Sequence, residues 1–298
     1  DISRPKMYLI RAIAIVLSLI VAAVVIVCVT GLNPIEVYKS MFDGAFSSSR
    51  RIWITIRDTM VLLCISIALA PAFKMKFWNI GAEGQMLVGG IVTAGIMIYF
   101  GNSVPTPVLI VIMLISSILI GAMWGLLPAI FKAYWNTNET LFTLMMNYVA
   151  IQLTSFFVAK WENPFGSNTV GIINANTQGG WFPAIIGQPY LLNVIIVLAV
   201  MIGMYIYLGK SKQGYEVAVV GESENTARYA GINVKWVIIR TMVISGALCG
   251  LAGFIGVAGV DHTISTGTAG GRGFTAIIVA WMSKFNTYIM FIVSFFLV

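Results

Sequence analysis

Apolar runs separated by short polar breaks repeat along the whole chain, and that alternation lays out most of its elements. A helix rises about 1.5 Å per residue, so a hydrocarbon layer of about 30 Å takes roughly 20 apolar residues to cross. The runs predict spans at residues 10–32, 59–73, 79–100, 108–131, 139–159, 190–208 and 237–260, with residues 274–298 as a further, broken one. The predicted fold class is therefore all-α, a polytopic transmembrane helix bundle forming one domain over residues 1–298. Residues 33–57 mix polar and apolar positions around Pro34 and Gly44 and are expected to lie at the outer surface as an amphipathic segment.

The longest polar interruption is residues 210–236, where Lys210, Lys212, Glu216, Glu222, Glu224, Arg228 and Lys235 fall close together. Each Arg, Lys or Asp at a helix centre in lipid costs about 2.5 to 3.5 kcal/mol, so this stretch belongs in water. Residues 222–229 suit a short surface helix with Ser223 as N-cap, acidic residues in the first turn, Arg228 near the end and Gly231 as the stop. Composition alone does not separate a solvated connector from a docking element.

Polar groups also enter the spans. Trp78, Asn79, Glu83 and Gln85 stand at the head of an apolar run, and with Asn79 as N-cap Glu83 lies near the first turn, where the helix dipole favours negative charge. A carboxylate and two amides at membrane depth mark a functional site or an interfacial capping cluster. Thr140, Thr143 and Asn147 share one helical face, as inter-helix hydrogen-bonding groups or as the wall of a pathway. Small residues recur at helical spacing, at Gly121 and Gly125 and again at Ser245, Gly246, Gly250, Gly253 and Gly256, and predict tight helix contacts. Gly273 and Phe274 open a short apolar piece that Ser283 to Asn286 cuts off, the pattern of a broken or re-entrant helix. Residues 160–189, rich in Gly, Asn and Pro, form the longest extracytoplasmic loop.

Composition agrees with a membrane protein: 298 residues are 59% hydrophobic and 10% charged, with a mean hydropathy of +0.91. The net charge of +7 does not imply nucleic acid, because the basic residues sit at the ends of apolar runs instead of forming a stripe. Arg4 and Lys6 before the first span, with Arg11 at its start, put the N-terminus in the cytoplasm by the positive-inside rule, with an uncleaved first span. The chain starts without an initiator Met and stops inside an apolar run, so the natural protein, including further C-terminal helices, is expected to continue. Cys28, Cys64 and Cys249 lie inside apolar runs without metal-ligand spacing and read as packing residues. The only histidine, His262, is expected in a solvated loop, and one histidine makes neither a His-rich metal site nor a histidine triad. With no phosphate-binding loop, zinc motif or nucleophile elbow, no catalytic residue, metal or bound cofactor is expected in this chain.

Gly221, Asn225, Ala227, Arg228, Tyr229, Ala230, Gly231 and Ile232, followed by Ile244-Ser-Gly-Ala and Gly250-Leu-Ala-Gly, resemble the inner-membrane permeases of bacterial ABC importers for sugars, branched-chain amino acids and nucleosides. The resemblance implies a coupling helix, with Gly221, Glu222, Asn225, Ala227, Arg228, Tyr229, Gly231, Ile232 and Asn233 meeting a separate ATPase subunit that holds ATP and Mg. Asn79-Ile-Gly-Ala-Glu-Gly-Gln, and residues 138–150, look like the nucleoside branch of that family. By that likeness Asn79, Glu83, Gln85, Thr143, Asn147 and Phe274 line a nucleoside pathway, and transport runs by alternating access. It further implies a second permease subunit, a substrate-binding lipoprotein received at residues 160–189, and a place in the bacterial cell membrane. The rival readings are a simple-sugar permease and an ion-coupled transporter or channel. The latter needs charged coupling groups deep in several spans, where only Glu83 qualifies. A membrane enzyme ranks below both, for want of acid, base and nucleophile constellations.

Overall fold

A computed structural model describes residues 4–298, with side chains from Ile13 onward. Arg4, Lys6 and Arg11, which set the predicted orientation, lie outside the residues whose side chains are described. Among the described residues the chain is helical, without β-strands. Seven helices among the described residues are long and apolar enough to cross a bilayer: residues 13–30, 49–74, 82–100, 106–135, 139–160, 191–210 and 234–261.

The chain divides into two compact units, residues 1–55 and 56–298. The first holds α1 (Arg4–Thr30), α2 (Pro34–Phe46) and the opening turns of α3 (Ser49–Lys74). Asn33 caps α2 by accepting the Ile35 N–H, and Pro34 takes the first helical position, where its missing N–H is no loss. Gly44, expected to break the chain, lies inside α2 with open space around it. The third helix starts ten residues before hydropathy predicts, because its arginines find partners. Arg51 donates to the Asp43 carbonyl at 2.9 Å and to Ser47 Oγ at 2.8 Å, which ties α3 to the end of α2.

The second unit is built around α10 (Val234–Gly256), flanked by α4 (Ala82–Phe100) and α5 (Thr106–Trp135). Its small residues let three backbones touch. A Cβ on Gly246 or Gly250 would run into the α5 backbone at Gly121 and Ser117, and one on Gly253 into the α4 backbone at Met86 and Gly90. Outside this sandwich, α6 (Glu139–Lys160) packs on α4. From Met60 to Phe73, α3 is buried almost continuously. After α10 the chain widens into a π-helical turn, Val257–Asp261, and His262 ends it in the left-handed region at φ 51°.

The long loop of residues 161–190 is held by hydrogen bonds: Trp181 Nε1 donates to the Ile173 carbonyl at 2.8 Å, Ile173 N to the His262 carbonyl at 2.8 Å, and Asn174 Nδ2 to the Met97 carbonyl at 2.8 Å. One loop expectation changes. His262 is not a solvated loop residue, since its ring stacks on Trp181 with centroids 3.8 Å apart. Cys64 and Cys249 are buried as expected of packing residues, whereas Cys28 is exposed.

The polar interruption folds into two helices instead of one. After α7 (Leu191–Lys210), α8 (Lys212–Glu222) runs into α9 (Glu224–Tyr229). Ser211 caps α8 by accepting the Gly214 N–H at 3.0 Å, and Val217 and Val220 bury against Ala227, Val234 and Val237 in a second small core. The chain ends in two short helices, α11 (Arg272–Met282) and α12 (Thr287–Leu297), separated by Ser283 to Asn286.

Candidate functional site

The first helical residue of α4 is Ala82, and its cap position is Gly81, not Asn79, without a side-chain cap bond. A helix start leaves its first N–H groups unpaired, and away from water each such group costs several kcal/mol. Two buried side chains, Asn79 and Asn147, answer for two of them, and Thr143 holds the residue before the cap. Asn79 Oδ1 accepts the Gly81 N–H at 3.0 Å, and its Nδ2 donates to Gln85 Oε1 at 3.3 Å and Ser245 Oγ at 3.1 Å. From α6, Asn147 Oδ1 accepts the Gly84 N–H at 2.8 Å while its Nδ2 donates to the Ile80 carbonyl at 2.9 Å. Thr143 Oγ1 accepts the Ile80 N–H at 3.2 Å and donates to the Glu139 carbonyl at 2.8 Å. Asn79 thus stands two residues before the cap position, and its amide ties that turn to Gln85 and to Ser245 of α10.

Glu83, 8% exposed, reaches across to another helix start. Its Oε1 accepts the Gly271 N–H at 2.7 Å and its Oε2 the Gly273 N–H at 2.8 Å. One carboxylate therefore serves two positive helix ends, that of its own α4 and that of α11, through charge-assisted hydrogen bonds. Gly273 makes room for it: a Cβ there would stand 2.6 Å from Glu83 Oε2.

Of the expected pathway residues, Asn79, Glu83, Gln85, Thr143 and Asn147 thus meet in one buried network with internal partners, and Phe274 alone is exposed, at 46%. Apart from Trp78 itself, sequence reasoning missed two neighbouring groups. Trp78 and Trp281 stack at 5.5 Å with Phe73 edge-on to both, and each tryptophan is about half exposed. Asp58 pairs with Arg57 at 3.0 Å and with Arg272 at 3.5 Å, and the Arg57 guanidinium lies 5.3 Å from the centroid of the Tyr190 ring. Opposite charge at positions 58 and 272 was the available signal, but a separation of more than two hundred residues hides it.

The residues expected to meet an ATPase divide by burial. Ala227 is fully buried, Gly221 packs on the Lys74 carbonyl, and Asn233 caps α10 by accepting the Trp236 N–H at 3.2 Å. Ile232 is half-buried, while Glu222, Asn225, Arg228, Tyr229 and Gly231 are exposed. Ser223 caps α9 by accepting the Thr226 N–H at 3.2 Å, and Glu224 pairs with Arg228 at 3.3 Å. A notch of about 220 Å³ between this arm and the ends of α3, α5 and α6 holds Lys76, Glu222, Glu224 and the Lys132–Glu139 pair, 3.0 Å apart. Among the described residues no group of three or more His, Cys, Asp or Glu side chains is placed to hold a metal.

Residues 51–298 match the family model described as branched-chain amino acid transport system / permease component. The guanosine ABC transporter permease protein NupP of Bacillus subtilis is 31% identical over 282 residues, covering 94% of this chain and 80% of that protein. The nucleoside ABC transporter permease protein NupB of Lactococcus lactis is 29% identical, covering 93% and 78%. The glucose ABC transporter permease protein TsgB13 of Haloferax volcanii is 26% identical, covering 91% and 73%. No solved structure matches the chain.

Proposed function

Because the chain belongs to the branched-chain amino acid transport system / permease component family, we propose that it is the membrane-spanning subunit of an ATP-driven importer that passes nucleosides inward by alternating access. The observation that carries the substrate class is the similarity to NupP and NupB over more than nine-tenths of the chain. A neutral nucleoside is recognised by groups that both give and take hydrogen bonds and by aromatic faces. In this reading the Asn79, Gln85, Thr143 and Asn147 network braces the wall, Glu83 holds α11 to it, and exposed Phe274 faces the passage.

The exposed tip of α8 and α9, with Glu222, Asn225, Arg228 and Tyr229, takes the thrust of a separate ATPase subunit, which carries ATP and Mg on the cytoplasmic side. A second permease subunit completes the passage, and a substrate-binding lipoprotein delivers to the loop of residues 161–190. A simple-sugar permease is the second reading, favoured by the likeness to TsgB13. Vesicles containing the assembled transporter and its binding protein decide between them. ATP-dependent accumulation of guanosine with little glucose is the expected result, and glucose without guanosine selects the sugar reading. Uptake of either that follows an ion gradient and ignores ATP overturns the importer itself.

A further inference from the structure

Beside the end of α3, the last turn of α7 and the start of α12, a notch of about 230 Å³ is lined by Lys74, Tyr205, Leu208, Lys284, Phe285 and Thr287, among others, without an acidic side chain. Its lysines lack counter-charges: Lys74 Nζ donates to the Leu208 carbonyl at 3.3 Å, and Lys284 makes no ion pair among the described residues. The N-terminus of α12 borders the same notch, where Asn286 Oδ1 caps it by accepting the Tyr288 N–H at 3.0 Å and the Ile289 N–H at 3.4 Å. Thr287, only 2% exposed, has a hydroxyl without a hydrogen-bond partner among the described residues. Lys284 and Phe285 both adopt left-handed backbone, φ 49° and 61°, an unfavourable conformation for side-chain-bearing residues that holds Lys284 at the rim.

Two ammonium groups without counter-charges, at a helix start whose dipole adds to their field, ask for the same thing, an oxyanion. The flanks say what carries it. Ile202 and Ile206 on α7 and Ile289 and Ile292 on α12 are exposed apolar residues, and the Tyr205 and Tyr288 rings meet at 4.8 Å between the two helices. Tyrosines at the junction of a polar notch and an apolar flank fit the headgroup level of a bilayer. We infer that this notch binds the phosphate of an anionic phospholipid, whose acyl chains lie along the apolar faces of α7 and α12. Inorganic phosphate shares the headgroup chemistry but has no use for those faces.

The test uses the purified transporter, delipidated and then titrated with phosphatidylglycerol, with phosphatidylcholine or with inorganic phosphate. Retained lipid is counted by native mass spectrometry, and thermal melting is followed in parallel. Wild type is expected to retain phosphatidylglycerol over phosphatidylcholine, and K74Q/K284Q to lose roughly 25-fold in that preference, about fivefold per lysine near an anionic headgroup. Lys212→Gln, outside the notch, is expected to leave retention unchanged. Since Lys74 also bonds α7, Lys284→Gln alone carries the test where the double variant does not fold. Equal retention of both lipids by wild type, or undiminished phosphatidylglycerol on a folded Lys284→Gln protein, overturns the proposal. Protection by inorganic phosphate equal to that by phosphatidylglycerol overturns the lipid assignment.

Discussion

Glu83 shows how a charge is kept inside a bundle of this kind. It sits in the first turn of α4 and holds two N–H groups of α11, so its carboxylate has a partner at each oxygen and helix dipoles at its back. Hydrogen bonds to charged groups contribute about 1.5 to 3 kcal/mol each, so Glu83→Ala is expected to cost on the order of 3 kcal/mol and to loosen the start of α11. Glu83→Gln, which keeps the acceptor oxygen but loses the charge, is expected to fall between. Melting of both variants, with guanosine uptake alongside, checks the order; a Glu83→Ala protein as stable as wild type would remove the clamp. His262 is the other residue whose environment has a measurable consequence. Desolvation by burial, with its ring stacked on Trp181, pushes the imidazole pKa down from the usual 6.5 to about 4, opposed only in part by a hydrogen bond to the Ala258 backbone. In that window the unfolded chain binds the proton and the folded chain does not, so this contribution to stability is full above pH 6.5 and declines as pH falls toward 4. His262→Phe keeps a ring on Trp181 and removes the titration. Melts read by tryptophan fluorescence should show a smaller loss between pH 6.5 and 4 in the variant; parallel losses would mean the ring does not titrate there.

Such residues are half legible in a sequence. Asn79, Glu83, Gln85, Thr143 and Asn147 stand out because polar groups at membrane depth are costly and therefore have a reason to be there. What they hold does not stand out, since Asn147 binds the backbone of Ile80 and Glu83 that of Gly271, and backbone groups carry no mark in the sequence.

At the level of elements, α10 is fixed by what its glycines exclude. Gly250 lies against Ser117 and Gly121 of α5, close enough that a methyl group would strike the Ser117 carbonyl. In membranes such backbone contact replaces the hydrophobic drive that water supplies elsewhere. Gly250→Leu is expected to separate α10 from α5, lowering the melting temperature and the yield of folded protein. Gly203, in the interior of α7 with open space where a methyl group would stand, is the matched control. Gly203→Ala should be neutral or stabilising by up to about 1 kcal/mol through helix propensity alone. Similar melting of the two variants would show that the seam does not hold the bundle. Spans are readable because length and hydropathy are local properties, yet hydropathy cuts α3 short at residue 59 and misses α8. It counts Arg51 as a stop, whereas the fold gives that residue Asp43 and Ser47 as partners. In α8 the charges mask Val217 and Val220, whose burial makes the helix.

For the whole molecule, the proposed importer raises the question of how a push on an exposed arm would reach the buried network. With six residues, α9 is too short to persist alone, so its cap on Ser223 and the burial of Ala227 among Val217, Val220, Val234 and Val237 must hold it. That burial makes the arm continuous with the start of α10. Through its glycines α10 touches α4, and α4 carries Glu83, which holds α11. A displacement at Tyr229, 93% exposed, therefore has packed side chains and backbone in its way as far as the start of α11. The two ends of this chain of contacts separate under mutation. Ala227→Trp overfills a site with no free surface and is expected to lower the stability of the permease by about 1 to 3 kcal/mol, whatever binds the arm. Tyr229→Ala touches nothing inside the fold, so stability should stay within about 0.5 kcal/mol while ATP-driven uptake drops. Measuring melting, ATPase co-purification and uptake on both variants distinguishes a broken arm from an undocked one. If Tyr229→Ala, Asn225→Ala and Arg228→Ala together left uptake and ATPase retention at the wild-type level, the thrust would have to enter elsewhere. The notch beside Lys76 and Glu222 would then be the surface to test, because it borders the end of α3 and the last turn of α8.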